Sequence, residues 1–336
     1  MTVDGATARE RSADVDALRV EGLTVDLAVG GRMLQAIGDV SFTLGRGRIR
    51  GLVGESGCGK SLTAMALMGL LPPGSRTSGI AELAGTDLLG MRYAERTKVN
   101  GRRLAMIFQE PMTALHPMLT VERQLTEGMR AHLGIGRKEA RKRALEMLDR
   151  VGIPSPSRTL SAHVHELSGG MRQRVMIAMM LACEPDVVIA DEPTTALDVT
   201  IQAQILDLLG DLVRDSQSAL LLITHDLGVV AQHCEDVTVM YAGRVVEDGP
   251  VDQIIHHPHH PYTGNLLAAR PRRDASTEWL NTIPGRVPTL DTMPTGCRFA
   301  ARCERRQDRC RQEPPLIPMN DGRARCWFPL EGGSVV

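Results

Sequence analysis

One octapeptide constrains this chain more than any other feature. Gly54-Glu55-Ser56-Gly57-Cys58-Gly59-Lys60-Ser61 fits the pattern G-x-x-x-x-G-K-[ST]. A buried strand over Ile49–Val53 reads straight into it, and a helix over Leu62–Leu71, stopped by Pro72-Pro73, reads out of it. Glycines let the backbone turn tightly enough for successive N–H groups to face phosphate oxygens, and the helix start adds its positive end. In this setting Lys60 is expected to reach the β- and γ-phosphates of a nucleotide, and the Ser61 hydroxyl to ligate Mg²⁺. Cys58, inside the loop, reads as a tolerated small residue rather than a reactive thiol.

With 336 residues the chain can bury one substantial core and carry a smaller appendage. Only 3% of residues are aromatic, so that core must rest on Leu, Val, Ile, Ala and Met. Lys plus Arg is 39 and Asp plus Glu is 40, a balance that gives no general attraction to nucleic acid. The first residues, 1–16, are polar, read as a disordered tail and have no apolar signal segment. The longest apolar runs, around Ala64–Leu71, Val175–Cys183 and Ala219–Ile223, are far shorter than the roughly 18 residues of a membrane span. A cytosolic chain whose membrane role runs through a partner is the expectation.

After the tail, Leu18–Val29 and Gln35–Leu44 read as strands broken by Gly30-Gly31. Lys138–Val151 reads as a charged amphipathic helix between Gly136 and Gly152. Asp186–Ala190 and Ala219–Thr224 are continuous apolar runs, expected of parallel strands covered on both faces, with helical Ile201–Val213 between them. The first of these strands ends in two carboxylates. Asp191 is placed to hold Mg²⁺, and Glu192 to polarise an attacking water. Leu167-Ser168-Gly169-Gly170 opens a further helix, with Ser168 as cap and two glycines leaving N–H groups uncovered. A second anion-binding helix start suggests a site shared between two subunits.

Together these residues resemble the ABC ATPase family over roughly Leu18 to Asp248, with six motifs in order. Gly54–Ser61, followed by Leu62, is similar to the Walker A loop, and Gln109 to the Q-loop glutamine. Leu167–Gly170 resembles the family signature. Asp191 and Glu192 resemble the Walker B pair, Ala196-Leu197-Asp198 the D-loop, and His225 the switch histidine. The resemblance implies an α/β P-loop (RecA-like) cassette over residues 17–250, with an antiparallel β subdomain and a helical subdomain over about 111–174. It further implies that two subunits close head-to-tail on two ATP molecules, each held between one P-loop and the opposite Ser168–Gly170. Gln109 would join Ser61 and Asp191 near Mg²⁺ and sense the γ-phosphate, and His225 would hold that phosphate against the water of Glu192. Leu27 stands where the family usually stacks an aromatic residue on adenine, which implies apolar contact instead.

Met171, where many members have Gln, with Arg172-Gln173-Arg174 and His260-Pro-Tyr-Thr263, resembles the ATP-binding subunits of oligopeptide, dipeptide and nickel importers, in the form of the first (D-type) of two paired ATPases. That implies a second, non-identical ATPase, two membrane permeases and, indirectly, an extracytoplasmic peptide-binding protein. The chain would then sit on the cytoplasmic face of the membrane, and no nucleic acid partner is expected. An importer ATPase for nickel or another small solute, and a soluble ABC ATPase acting on DNA or ribosomes, are the alternatives.

Residues 251–336 form the appendage. Its spacing Cys297-x5-Cys303-x6-Cys310-x15-Cys326 could hold a [4Fe–4S] cluster, Zn²⁺, or nothing. Gly296–Cys303 is similar to the context in which some peptide-importer ATPases carry an iron–sulfur cluster. Arginines 298, 302, 305, 306, 309, 311, 323 and 325 could offset thiolate charge or form a solvated face. His256-His257-Pro258-His259-His260 reads as a linker, since its proline splays the rings.

Overall fold

The structure, a computed structural model, describes residues 16–110, 114–194, 198–269 and 282–331. The expectations for the tail, for Pro111, and for Ala196 and Leu197 lie outside the described residues, apart from Asp16.

Alternating burial along the first strands makes a half-covered antiparallel sheet of order β2-β1-β4-β5: β1 (Asp16–Val29), β2 (Arg32–Gly45), β4 (Arg76–Leu83) and β5 (Thr86–Asp87). Gly30 and Gly31, both at positive φ, turn β1 into β2. The larger sheet has the order β11-β12-β10-β9-β3-β8-β7-β6. Its parallel centre comprises β9 (Asp236–Tyr241), β3 (Ile49–Val53), β8 (Ala219–Thr224), β7 (Val187–Asp191) and β6 (Leu104–Ile107). Period-two geometry divides the continuous apolar runs between two cores. Val187, Ile189, Leu221 and Ile223 face the core shared with the antiparallel sheet, whereas Val188, Ala190, Leu220 and Leu222 face the helical core.

The helix after the octapeptide, α1 (Lys60–Met68), ends at Gly69 rather than at Pro72-Pro73. Gly69 takes φ +67°, and the N–H groups of Gly69 and Leu70 return to the carbonyls of Ala66 and Met65, which closes the helix before the prolines can act. A short α2 (Tyr93–Val99) precedes β6. The helical region contains α3 (Val121–Leu133), α4 (Arg137–Arg150), α5 (Pro156–Ser161) and α6 (Gly169–Leu181). Because α6 runs on to bury Val175, Ile177 and Leu181, a boundary at Arg174 falls inside a helix. Then come α7 (Val199–Ser216) and α8 (Leu227–His233).

The appendage joins the cassette sheet instead of standing apart. After β10 (Arg244–Pro250), α9 (Val251–His256) and α10 (Pro261–Ala268), the chain returns as a hairpin of β11 (Ile317–Met319) and β12 (Gly322–Ala324) that pairs with β10. Asp248 sits at this seam. It receives Arg50 at 2.7 Å and Arg323 at 2.8 Å, so a buried charge of the cassette is shared with the appendage.

Candidate functional site

Four adjacent parallel strands deliver the predicted residues to one edge. The octapeptide follows β3, Gln109 follows β6, Asp191 and Glu192 end β7, and His225 follows β8. Ligands in open α/β sheets bind at this carboxyl edge. Gly54 has φ +153°, and a Cβ there would stand 2.2 Å from the Met240 carbonyl oxygen, so only glycine lets the loop leave β3. Gly59, at φ +107°, precedes α1. Lys60 is buried and folds back, its Nζ donating to the carbonyl oxygens of Gly54 at 2.8 Å and Glu55 at 3.2 Å. The Cys58 side chain lies buried beneath the loop, its Sγ 3.9 Å from Lys60 Nζ, and burial pushes its thiol pKa up. That agrees with an inert residue.

Asp191 is buried, which raises its carboxyl pKa above the usual range, opposed by a hydrogen bond with Ser61. Its Oδ1 has no hydrogen-bond partner among the described residues. An orphaned carboxylate oxygen beside a hydroxyl fits a hard divalent cation such as Mg²⁺. Glu192 takes the left-handed backbone (φ +46°), held by its N–H donating to the Ile223 carbonyl at 2.9 Å. Its carboxylate accepts from Gln109 Nε2 at 3.3 Å and lies 3.3 Å from His225 Nδ1. Gln109, Glu192 and His225 line a cavity of about 830 Å³ that also includes Gly54, Glu55, Ser56, Gly57, Gly59, Lys60, Ser61 and Leu62; Asp191 is not among the lining residues. Its lining also includes the apolar residues Leu27, Met65, Leu266 and Leu290. Leu266 and Leu290 had no signal in the sequence, because each lies in the appendage and in none of the nucleotide-binding motifs.

The sequence profile of the ABC transporter family matches residues 37–195, and that of the oligopeptide/dipeptide transporter C-terminal region matches 246–310. Over 315 residues the chain is 46% identical to the oligopeptide transport ATP-binding protein OppD of Haemophilus influenzae, covering 94% of this chain and 98% of that one. The chain belongs to the ABC transporter family. It is an ATPase of that family. It is also 48% identical over 315 residues to the dipeptide transport ATP-binding protein DppD of Bacillus subtilis, covering 93% and 94% of the two chains. Among solved structures, the ATP-binding cassette MJ0796, a dimer in a post-hydrolysis state bound to ADP and Pi, superposes with TM-score 0.62. The two are 26% identical, over 70% of this chain and 98% of that one.

Two predicted site segments are not part of the lining of this cavity. Ser168 caps α6 by accepting from the Met171 N–H at 3.3 Å, with Gly169 exposed and Gly170 half-buried. Asp198 caps α7, accepting from the Ile201 N–H at 3.0 Å. Neither these residues nor Cys58 is among the described cavity lining. One link was not foreseen: buried Gln173, on the signature helix, donates to the Pro193 carbonyl beside the Walker B pair.

Cys297, Cys303, Cys310 and Cys326 line one pocket with Phe299, Pro314 and Phe328. Burial pushes the thiols of Cys297 and Cys326 up to about 11. No group of three or more His, Cys, Asp or Glu among the described residues is arranged to hold a metal ion, so neither the [4Fe–4S] expectation nor the Zn²⁺ alternative has support from geometry. The donor set alone, four thiols on one pocket, is of the type found around iron–sulfur clusters. The eight arginines divide: Arg305, Arg306, Arg309 and Arg311 are exposed, as a solvated face would be, whereas three others tie into the cassette. Arg298, Arg302 and Arg325 are buried and reach Ala242, Glu55 and Asp39 of the cassette. The histidine run is a linker held firmly in place. Glu247 receives the backbone N–H groups of His259 and His260, and burial holds His260 neutral, down to about 3.

Proposed function

We propose that this chain is the ATP-hydrolysing subunit of an importer that carries oligopeptides or dipeptides across the cytoplasmic membrane. The observation that carries this reading is one chain joining the nucleotide cavity to the C-terminal region of oligopeptide/dipeptide transporters. No helix among the described residues is long and apolar enough to cross a membrane, so the chain would act from the cytoplasmic face through two permease subunits. In this reading residues 17–250 work as the cassette and 251–336 as a transporter-specific extension.

The Gly54–Ser61 loop and Lys60 hold the ATP phosphates, and Leu27, Leu266 and Leu290 cover the base without aromatic stacking. Ser61, Asp191 and Gln109 would hold Mg²⁺, which would supply positive charge to offset that of the phosphates. Glu192 accepts a proton from the water that attacks the γ-phosphorus as the bond to the ADP oxygen breaks. Gln109 and His225 hold Glu192 from two sides and report the γ-phosphate. Ser168, Gly169, Gly170 and Asp198, exposed or half-buried on another face, serve the ATP of a second, non-identical ATPase. ATP closes that pair, and hydrolysis reopens it. An extracytoplasmic binding protein would deliver the peptide.

Affinity purification from the membrane fraction is expected to bring down two permeases and a second ATPase. Recovery of nucleic acid or ribosomes in their place sinks the reading. For the four cysteines, the thiol-only donor set supports a [4Fe–4S] cluster as a proposal. Protein purified without oxygen is then expected to absorb near 400 nm in proportion to bound iron, and zinc alone or no metal removes the cluster.

A further inference from the structure

The appendage reaches into the phosphate loop itself. Arg302 closes a 3₁₀ turn (Ala300–Arg302), one residue before Cys303. Its side chain is only 4% exposed, and its guanidinium forks onto Glu55, Nη1 donating to Oε2 at 2.6 Å and Nη2 to Oε1 at 3.0 Å. It also donates to the carbonyls of Pro284 at 2.7 Å and Ile283 at 3.1 Å, and to Tyr241 Oη at 3.4 Å. Three of the chain's nine aromatic residues pack together beside it, with Tyr241 4.8 Å from Tyr262 and 5.2 Å from Phe299. Tyr262, from α10, accepts the Glu55 N–H at 2.9 Å. Both the side chain and the backbone of Glu55 are therefore gripped by residues outside the cassette.

Glu55 needs that grip. Glu55 is one of the residues lining the cavity where, on the reading above, a triphosphate must sit. An unpaired carboxylate there would repel the phosphates in a partly desolvated site, where charges are weakly screened. A two-pronged guanidinium cancels the charge and fixes its direction, which a single ammonium does less well.

We propose that Arg302 is a positioning residue for ATP: by neutralising and orienting Glu55 it holds the phosphate loop in its binding form. This inference rests on the assignment of Gly54–Ser61 to the ATP phosphates. It makes the C-terminal extension part of the nucleotide site and not only a platform for cysteines.

The test measures kcat and KM for ATP in the full-length chain, purified with its membrane partners. Arg302→Gln, which fills similar space without charge, should raise KM about tenfold, the scale of one charged hydrogen-bonded contact, with kcat within about twofold. Arg302→Lys should recover part of the loss. Adding Glu55→Gln to Arg302→Gln should bring KM back to within about threefold of wild type, since the repelling charge is gone. A purely structural role predicts no such rescue. An unchanged KM in Arg302→Gln, or a double variant as poor as the single one, overturns the proposal. Should Arg302→Gln fail to fold alone, the double variant still decides: near-normal KM supports the proposal and a tenfold rise overturns it. Lys60→Ala is the control for the underlying site; normal ATP affinity in that variant would remove the ATP assignment itself.

Discussion

ATP turnover is expected to fall by about a hundredfold to ten thousandfold when Glu192 is replaced by Gln, the range a positioned general base contributes. The substitution keeps size and polarity, so the contacts at 3.3 Å to Gln109 and His225 can persist. The left-handed backbone at φ +46°, anchored by the bond to Ile223, is as accessible to Gln as to Glu. What disappears is the proton acceptor. ATP should still bind, and a closed, ATP-loaded pair with the partner ATPase should accumulate, visible as a nucleotide-dependent shift in size-exclusion chromatography. Turnover at the wild-type rate would refute the assignment of Glu192 as base, whatever happens to dimerisation.

Lys60→Ala should fail earlier in the cycle. Lys60 is 5% exposed, and its Nζ bridges the Gly54 and Glu55 carbonyls across the loop. Removing it leaves those carbonyls without their donor and the phosphates without a point charge. Losing one or two charge-assisted hydrogen bonds is worth about 1.5–3 kcal/mol, so the ATP dissociation constant should rise by roughly ten- to a hundredfold. Calorimetric titration with ATP reads this directly, and an unchanged constant would contradict the assignment. The two variants thus separate: Glu192→Gln binds without turning over, while Lys60→Ala binds poorly.

The sequence revealed elements whose physics is local. Ile49–Val53 and Ala219–Thr224 read correctly to the residue, because a strand covered on both faces must be apolar throughout. Ser168 was recognisable as a cap for the same local reason. The residues gathered at the carboxyl edge of the sheet were legible because the loop, the paired carboxylates and the lone His each end a recognisable strand. Non-local choices were not legible. Gly69 ended α1 before the prolines, since a left-handed C-cap satisfies carbonyls that a proline merely fails to continue. The grip of Arg302 on Glu55 spans 247 positions, and no spacing rule relates residues that far apart. Three of the arginines read as counter-charges or surface, Arg298, Arg302 and Arg325, turned out to be buried ties, because burial decides what a guanidinium does and composition does not report burial. Likewise, cysteine spacing gave a ligand count without a geometry, and among the described residues no group is arranged to hold a metal ion.

Uptake of a labelled oligopeptide by cells that lack the chromosomal copy of this chain tests the central claim most directly. Complementation with the wild-type chain is expected to restore accumulation, and complementation with Glu192→Gln, present at equal abundance, is expected to leave it at background. Accumulation driven equally by both, or by neither while the wild-type chain hydrolyses ATP in its membrane complex, would contradict an ATPase that energises peptide import.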